Sequence, residues 1–149
     1  MLNYLAVHDF VWINATVLGK TVSFDFEKLE AAMAAQYNYG ESNDAAGQAA
    51  NLLETMLTKR PFESGSIRTA FIAVVSFLSA NKYSLQVDDK AAASIFEHVA
   101  AGELSAAEAI GEMFKLSDLA LRSSTAIRAL VAYICNEHAE ALKLLAEGD

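Results

Sequence analysis

Proline, cysteine and basic residues are all scarce in this chain, and each scarcity excludes something. One proline in 149 residues leaves long helices uninterrupted, because proline breaks a helix interior. A lone cysteine, Cys135, excludes an intrachain disulfide and favours a reducing, cytoplasmic setting. Eleven basic against nineteen acidic residues give a net charge of -8, so we expect no general nucleic-acid binding. No apolar run is long enough to cross a bilayer, so we expect no membrane association.

Apolar residues are abundant instead, at 54% of the sequence, and alanine is frequent among them. A chain of 149 residues buries enough surface to fold as one domain, 1–149, without a disulfide or metal. Alanine loses no side-chain entropy in a helix and so favours helical structure. We therefore predict an all-α fold.

The spacing of the apolar residues places the helices along the chain. Apolar positions that recur every three or four residues predict an amphipathic helix. Asn38 to Asn43 is predicted to be a loop, Thr21 to Ser23 a short extended piece and Asn81 to Val87 a connection. The helices are expected over 2–17, from Asp25 to about Tyr37, and over 44–59, 66–80, 88–101, 105–116 and 119–147.

The helix over 66–80 and the helix over 119–147 have distinct patterns. The first is apolar almost all round, which is typical of a helix surrounded by others, so we predict that it is central and buried. The second carries an apolar seam at alternating steps of four and three residues. We expect this seam to pack within the domain, with self-association through it as the alternative. The seam consists of Ile127, Val131, Ile134, His138, Ala141 and Leu145.

A loop rich in turn-forming and basic residues, 59–69, leads directly into the predicted central helix. A helix N-terminus offers unpaired N–H groups and about half a positive charge, which together stabilise an anion. Arg68 lies in the first turn and can add a bidentate contact, while Ser64 and Ser66 can cap the helix. The competing interpretation is that Arg68 makes a structural ion pair and that Pro61 and Gly65 only shape the turn.

The window from Arg60 to Arg68 resembles the signature of the Fic/Doc superfamily, roughly His-x-Phe-x-Asp/Glu-Gly/Ala-Asn-Gly/Lys-Arg. Phe62, Gly65 and Arg68 match it, and Pro61 and Thr69 fit common forms of it. Three further segments, 5–9, 76–83 and 100–105, also resemble Doc proteins. The resemblance covers 2–116 and implies a compact helical bundle around a buried central helix, with 119–147 as an additional C-terminal helix.

The chain departs from this signature where the family's chemistry takes place. In active relatives the histidine is the general base and the acidic residue holds Mg²⁺ on the nucleotide. Arg60 replaces the histidine, and a guanidinium cannot be deprotonated in proteins. Ser64 replaces the acidic residue and is a poor ligand for Mg²⁺. Ser66 and Ile67 stand at the asparagine and Gly/Lys positions, and Glu63 lies one place before the acidic position.

These departures favour a catalytically impaired binding or regulatory module, derived from a toxin–antitoxin system, over an enzyme. The predicted anion or nucleotide site consists of Arg60, Gly65, Ser66 and Arg68, with Glu63 as a further candidate. We assign no catalytic residue and no metal ligand. The alternative is a transferase that moves AMP or phosphate from ATP, with Mg²⁺, to a protein hydroxyl by rearranged residues. In a third interpretation, the fold binds an antitoxin-like peptide or protein partner.

Overall fold

Helices dominate the computed structural model, which describes residues 3–37, 44–117 and 126–149. The prediction of an all-α fold is confirmed, with one short two-stranded sheet added to it. None of the helices within the described ranges is long and apolar enough to span a membrane. The elements are α1 (Val7–Leu18), α2 (Phe26–Ala35), α3 (Ala45–Lys59), α4 (Ser66–Ala80), β1 (Tyr83–Leu85), α5 (Asp89–Ala100), α6 (Ala106–Met113), β2 (Phe114–Leu116), α7 (Ile127–Glu137) and α8 (Ala139–Ala146).

Helix α4 lies at the centre, as its apolar sequence predicts. Thirteen of its fifteen residues are buried, and α1, α3 and α7 pack around it. Phe71 meets Phe96 of α5 edge to face, with 5.0 Å between the ring centroids. The predicted bounds of 66–80 are confirmed. The N-terminus of α4, which follows the 59–69 loop, therefore opens directly from the core.

Most other helices begin at the capping residues that the sequence indicates. The side chains of Asp25, Asp44, Asp88 and Ser105 each accept a hydrogen bond from a backbone N–H in the first turn. Such a bond satisfies one of the N–H groups that a helix start leaves without a partner. The predicted starts near Asp25, at Asp88 and at Ser105 are thereby confirmed.

The first helix begins later than predicted, at Val7 rather than at Leu2, which itself lies outside the described residues. Residues 3–6 are not helical, because their backbone is bound to other parts of the chain. Leu5 donates its N–H to Gln36 Oε1 at 2.8 Å and accepts from Gln36 Nε2 at 2.6 Å. Asp9 then accepts the N–H of Ala6 and starts the helix.

The two strands lie where the sequence predicts a connection and the end of a helix. Strand β1 falls within the predicted connection 81–87, and α6 ends at Met113 rather than near Leu116. The strands pair antiparallel, with Tyr83 opposite Leu116 and Leu85 opposite Phe114. Each strand has only three residues, and about thirty positions separate the two strands. Their alternating pattern is therefore too short to be recognised in the sequence. The predicted loop 38–43 lies outside the described residues.

The C-terminal part forms two helices where one continuous helix was predicted. The break is at His138, whose backbone (φ -108, ψ 30) ends α7 and precedes α8. The start predicted at 119 lies outside the described residues. Helix α7 packs on α4, and α8 packs on α5. Val131, Ile134, Ala141 and Leu145 are buried within the chain, so most of the seam packs inward as expected.

Candidate functional site

The N-terminus of α4 is capped neither by Ser64 nor by Ser66, contrary to prediction. The N-cap is Gly65, which has no side chain to offer and adopts a left-handed backbone with φ 79. Ser66 is buried and donates its hydroxyl to the carbonyl of Phe62 at 3.4 Å, so it points back into the loop. The free N–H groups of the first turn therefore need another acceptor.

That acceptor is the carboxylate of Asp149, which follows α8 in the chain. Asp149 Oδ1 accepts from the N–H of Ile67 at 2.9 Å, and Oδ2 accepts from the N–H of Arg68 at 3.1 Å. Arg68 also donates its Nε to Oδ2 at 3.0 Å. The side chain of Asp149 is only 2% exposed. A carboxylate is thus held by three hydrogen bonds at the start of the central helix.

The Asp149 carboxylate supplies a negative charge at the start of α4, where the sequence predicts that an anion is stabilised. The dipole of a fifteen-residue helix and the Arg68 guanidinium both favour negative charge at this point. Arg68 is itself largely shielded, with its side chain 17% exposed, so water weakens the ion pair less than it would at the surface. The structural ion pair of Arg68, the competing interpretation from sequence, is therefore present. Its partner comes from 81 residues away.

Gly65 has a steric role that the sequence analysis did not assign. A Cβ at this position would lie 2.9 Å from Leu18 Cδ2 and 3.2 Å from Asn14 Nδ2, both on α1. The Asn14 amide itself donates to the carbonyl of Ser64 at 3.0 Å and to Thr69 Oγ1 at 3.1 Å. Asn14 thereby fixes the loop against α4 from its buried position. A polar residue next to Ile13 on an apolar helix was the sequence signal for this contact.

The start of the loop is fixed by a short extended segment before α2. Phe24 and Phe62 form an isolated antiparallel bridge, and their ring centroids lie 5.9 Å apart. Asp25 donates its N–H to the carbonyl of Pro61 at 2.8 Å, and Glu63 donates to that of Ser23 at 2.9 Å. The exposed carboxylate of Glu63 accepts from the N–H of Ser23 at 3.4 Å. Glu63 therefore points toward this segment rather than toward α4.

Arg60 lies at the C-terminal end of α3, where it is the C-cap. Its backbone is left-handed, with φ 44, and its N–H bonds to the carbonyl of Met56 at 3.0 Å. The side chain is exposed. All three donors to the Asp149 carboxylate belong to Ile67 and Arg68. Of the four predicted anion-binding residues, only Arg68 contacts the bound carboxylate, while Gly65 and Ser66 shape the turn.

A separate cavity of about 620 Å³ lies between α3 and the segment that joins α5 to α6. Its lining includes the carboxylates of Glu54, Glu103 and Glu108 and the apolar side chains of Leu57 and Leu104. None of the predicted anion-binding residues lines it. No group of three His, Cys, Asp or Glu side chains placed to hold a metal ion occurs among the residues that the structure describes.

Comparisons of this chain with protein-family models, with curated proteins and with solved structures find no match. The likeness to Fic/Doc proteins rests on the residues of the 59–69 loop and the three further segments alone.

Proposed function

We propose that this protein is a catalytically impaired relative of Fic/Doc proteins that acts as a binding or regulatory module. Its site is the N-terminus of α4, and its ligand is a phosphate group or a similar small anion. The observation that supports this proposal most directly is the Asp149 carboxylate, which is 2% exposed and bound by three donors at this point. An origin in a toxin–antitoxin system is part of the same proposal.

The donors that hold the carboxylate are those that a phosphate would use. Two oxygens of a phosphate group can accept from the N–H groups of Ile67 and Arg68, as the two oxygens of Asp149 do. The Arg68 guanidinium adds a charge-assisted bond, which is stronger than a neutral one. Phosphate carries more negative charge than a carboxylate, so the helix dipole and Arg68 favour it at least as much.

The residues of the loop do not fit the transfer chemistry of active relatives. Arg60, at the position of the general base, is exposed at the C-cap of α3, and a guanidinium cannot serve as that base. Ser64 offers no carboxylate, and its carbonyl already accepts from Asn14. Glu63 points to Ser23. The arrangement therefore does not fit a nucleotide-bound Mg²⁺ ion.

A titration with inorganic phosphate, followed by the amide NMR signals of the protein, tests this proposal. We expect saturable shifts of the Ile67 and Arg68 amides at high millimolar phosphate. In Arg68→Ala the affinity should fall about tenfold or more, since a hydrogen bond to a charged group contributes about 1.5–3 kcal/mol. Arg128→Ala is the matched control, because it removes the same charge from an arginine that lies over Trp12. Equal affinities in the two variants, or no saturable shift, would refute the site.

The absence of transfer activity is tested separately with ATP. Long incubation with ATP, Mg²⁺ and a mixture of candidate protein substrates should leave every protein mass unchanged. A transferred AMP or phosphate group that disappears in Arg68→Ala would contradict the proposed impairment. It would favour the alternative, a transferase with rearranged residues.

A further inference from the structure

The cavity between α3 and the segment that joins α5 to α6 is a second concave site, separate from the start of α4. It lies where small residues stand at the contact of α3 with α6. Ala50 on α3 and Ala106 on α6 both line it, and their side chains end at Cβ. At Gly102, which also lines it, an added Cβ would meet nothing within 4 Å. Its volume of about 620 Å³ falls within the range of small-molecule pockets, about 300–1,000 Å³.

The charges that line this cavity are all negative, and we call it the acidic cavity. Glu54 on α3, Glu103 in the joining segment and Glu108 on α6 line it, and within the described ranges no lysine, arginine or histidine does. Glu103 Oε2 lies 2.8 Å from His98 Nδ1, and Glu108 Oε1 accepts from Ser105 Oγ at 3.0 Å. Charges of one sign around a cleft focus the potential inside it, so this cleft favours a cation.

The remaining lining favours a cation with a hydrocarbon part. Leu57 of α3, Val99 of α5 and Leu104 of the joining segment are half-buried and pack against the core. A metal ion gains nothing from such side chains. The described part of the chain also holds no three His, Cys, Asp or Glu side chains placed to bind a metal, so the three carboxylates do not converge on one point. An extended cation can meet them separately while its methylene groups cover the apolar residues.

We propose that the acidic cavity binds an aliphatic diamine or polyamine. The ammonium groups of this ligand pair with Glu54, Glu103 and Glu108, and its methylene chain packs on Leu57 and Leu104. The lysine side chain of a partner protein has the same chemistry but brings only one ammonium group to three carboxylates. A ligand with two or more ammonium groups is therefore the better match.

Three amines separate the contribution of the stem from that of the charge. They are titrated in about 150 mM salt, where the Debye length is about 8 Å and attraction to the net charge is largely screened. The amide NMR signals of Glu54, Leu104 and Ala107 report binding. We expect 1,5-diaminopentane to bind about three- to tenfold more tightly than 1,3-diaminopropane, because each buried methylene group contributes up to about fourfold. It should bind about two- to fivefold more tightly than 1-aminopentane, which lacks one ion pair.

Two variants of the acidic cavity and one control test the carboxylates. Glu54→Gln and Glu108→Gln each remove one negative charge, and a glutamine at 108 can still accept from the Ser105 hydroxyl. Glu30→Gln is the matched control, because Glu30 is exposed on α2 and is not among the lining residues. The affinity for 1,5-diaminopentane should fall about two- to fivefold in each cavity variant, the effect of an exposed ion pair. The control should match wild type, and urea unfolding establishes that each variant is folded.

Several outcomes would overturn the proposal. No saturable shift with 1,5-diaminopentane would remove the site. Equal losses in Glu54→Gln and Glu30→Gln would show that the net charge alone attracts the amine. Equal or tighter binding of 1,3-diaminopropane would exclude the stem contact, and equal binding of 1-aminopentane would make a single ammonium group sufficient. None of these results bears on the phosphate titration, because Gly65, Ser66 and Arg68 are not among the residues that line the acidic cavity.

Discussion

The substitution Gly65→Ala tests why a glycine stands at the start of the central helix. Gly65 has φ 79, a left-handed conformation that costs an alanine about 1–2 kcal/mol. The added methyl group would also lie 2.9 Å from Leu18 Cδ2 and 3.2 Å from Asn14 Nδ2. The half-buried Leu18 side chain can move, but Asn14 cannot yield without straining its hydrogen bonds to Ser64 and Thr69.

The steric part can be estimated from what overpacking costs in other cores. An extra methyl group in a tightly packed site destabilises by about 1–3 kcal/mol. Because Leu18 can relax, we take the lower half of this range. Together with the backbone term, Gly65→Ala should lower the free energy of unfolding by about 2–4 kcal/mol.

Gly102→Ala is the matched control for the backbone term. Gly102 has the same φ of 79, and nothing lies within 4 Å of an added Cβ. Its cost should therefore be the left-handed conformation alone, about 1–2 kcal/mol. The difference between the two variants isolates the contact with α1.

Urea unfolding followed by circular dichroism measures both variants. The slope of the transition should stay the same while the midpoint falls, since neither change alters the surface exposed on unfolding. Each kcal/mol lost from the free energy of unfolding should also lower the melting temperature by about 2–4 °C in a chain of this size. Equal losses in Gly65→Ala and Gly102→Ala would refute the close approach of α1 to the loop.

Three further changes test other parts of the structure. Asn14→Ala leaves Thr69 and a loop carbonyl without a buried donor and should cost about 1–3 kcal/mol in urea unfolding; a smaller loss would mean that water replaces the amide. Ser105→Ala removes the cap of α6 and should cost about 1 kcal/mol, whereas Ser94→Ala, at an exposed position within α5, should cost nothing. Burial raises the pKa of Cys135 from 9.0 to about 11. Its thiolate fraction at pH 8, and therefore its rate of alkylation by iodoacetamide, should be about 100-fold lower than in the unfolded chain. Equal rates in the folded and unfolded chain would contradict its burial.

The elements that could be predicted from sequence are those with a strong local signal. The bounds of α4 followed from ten apolar residues among its fifteen positions and from the glycine before them. The starts of α5 and α6 followed from capping side chains within the same turn. The prediction of an all-α fold needed only the composition and these patterns.

The features that could not be predicted depend on contacts between distant parts of the chain. The late start of α1 is caused by Gln36, 31 residues away, which binds the backbone of Leu5. The break at His138 lies where Asp89, 49 residues away, contacts the His138 ring and accepts the N–H of Ala141, while the apolar seam itself continues through the break. Neither partner leaves a periodic signal in the sequence.

The candidate site shows the same division between local and distant information. The loop indicated that an anion is stabilised at the start of α4, and the structure places a carboxylate there. The sequence could not indicate which carboxylate, because nineteen acidic residues are available and Asp149 is 81 residues from Arg68. Arg60 was included because of its place in the motif, yet the left-handed end of α3 leaves its side chain exposed.

The Asp149 contact also changes how the two interpretations of the loop relate to each other. From sequence, a structural ion pair of Arg68 and a ligand site at the helix N-terminus were competing explanations. In the structure both use the same three donors, so an ion pair there does not argue against a ligand site. The three donors belong to Ile67 and Arg68, but the carboxylate that they hold belongs to Asp149, which lies outside the segment that resembles Fic/Doc proteins. The titration with phosphate therefore decides between the two interpretations, because only a ligand site accepts an added anion at these donors.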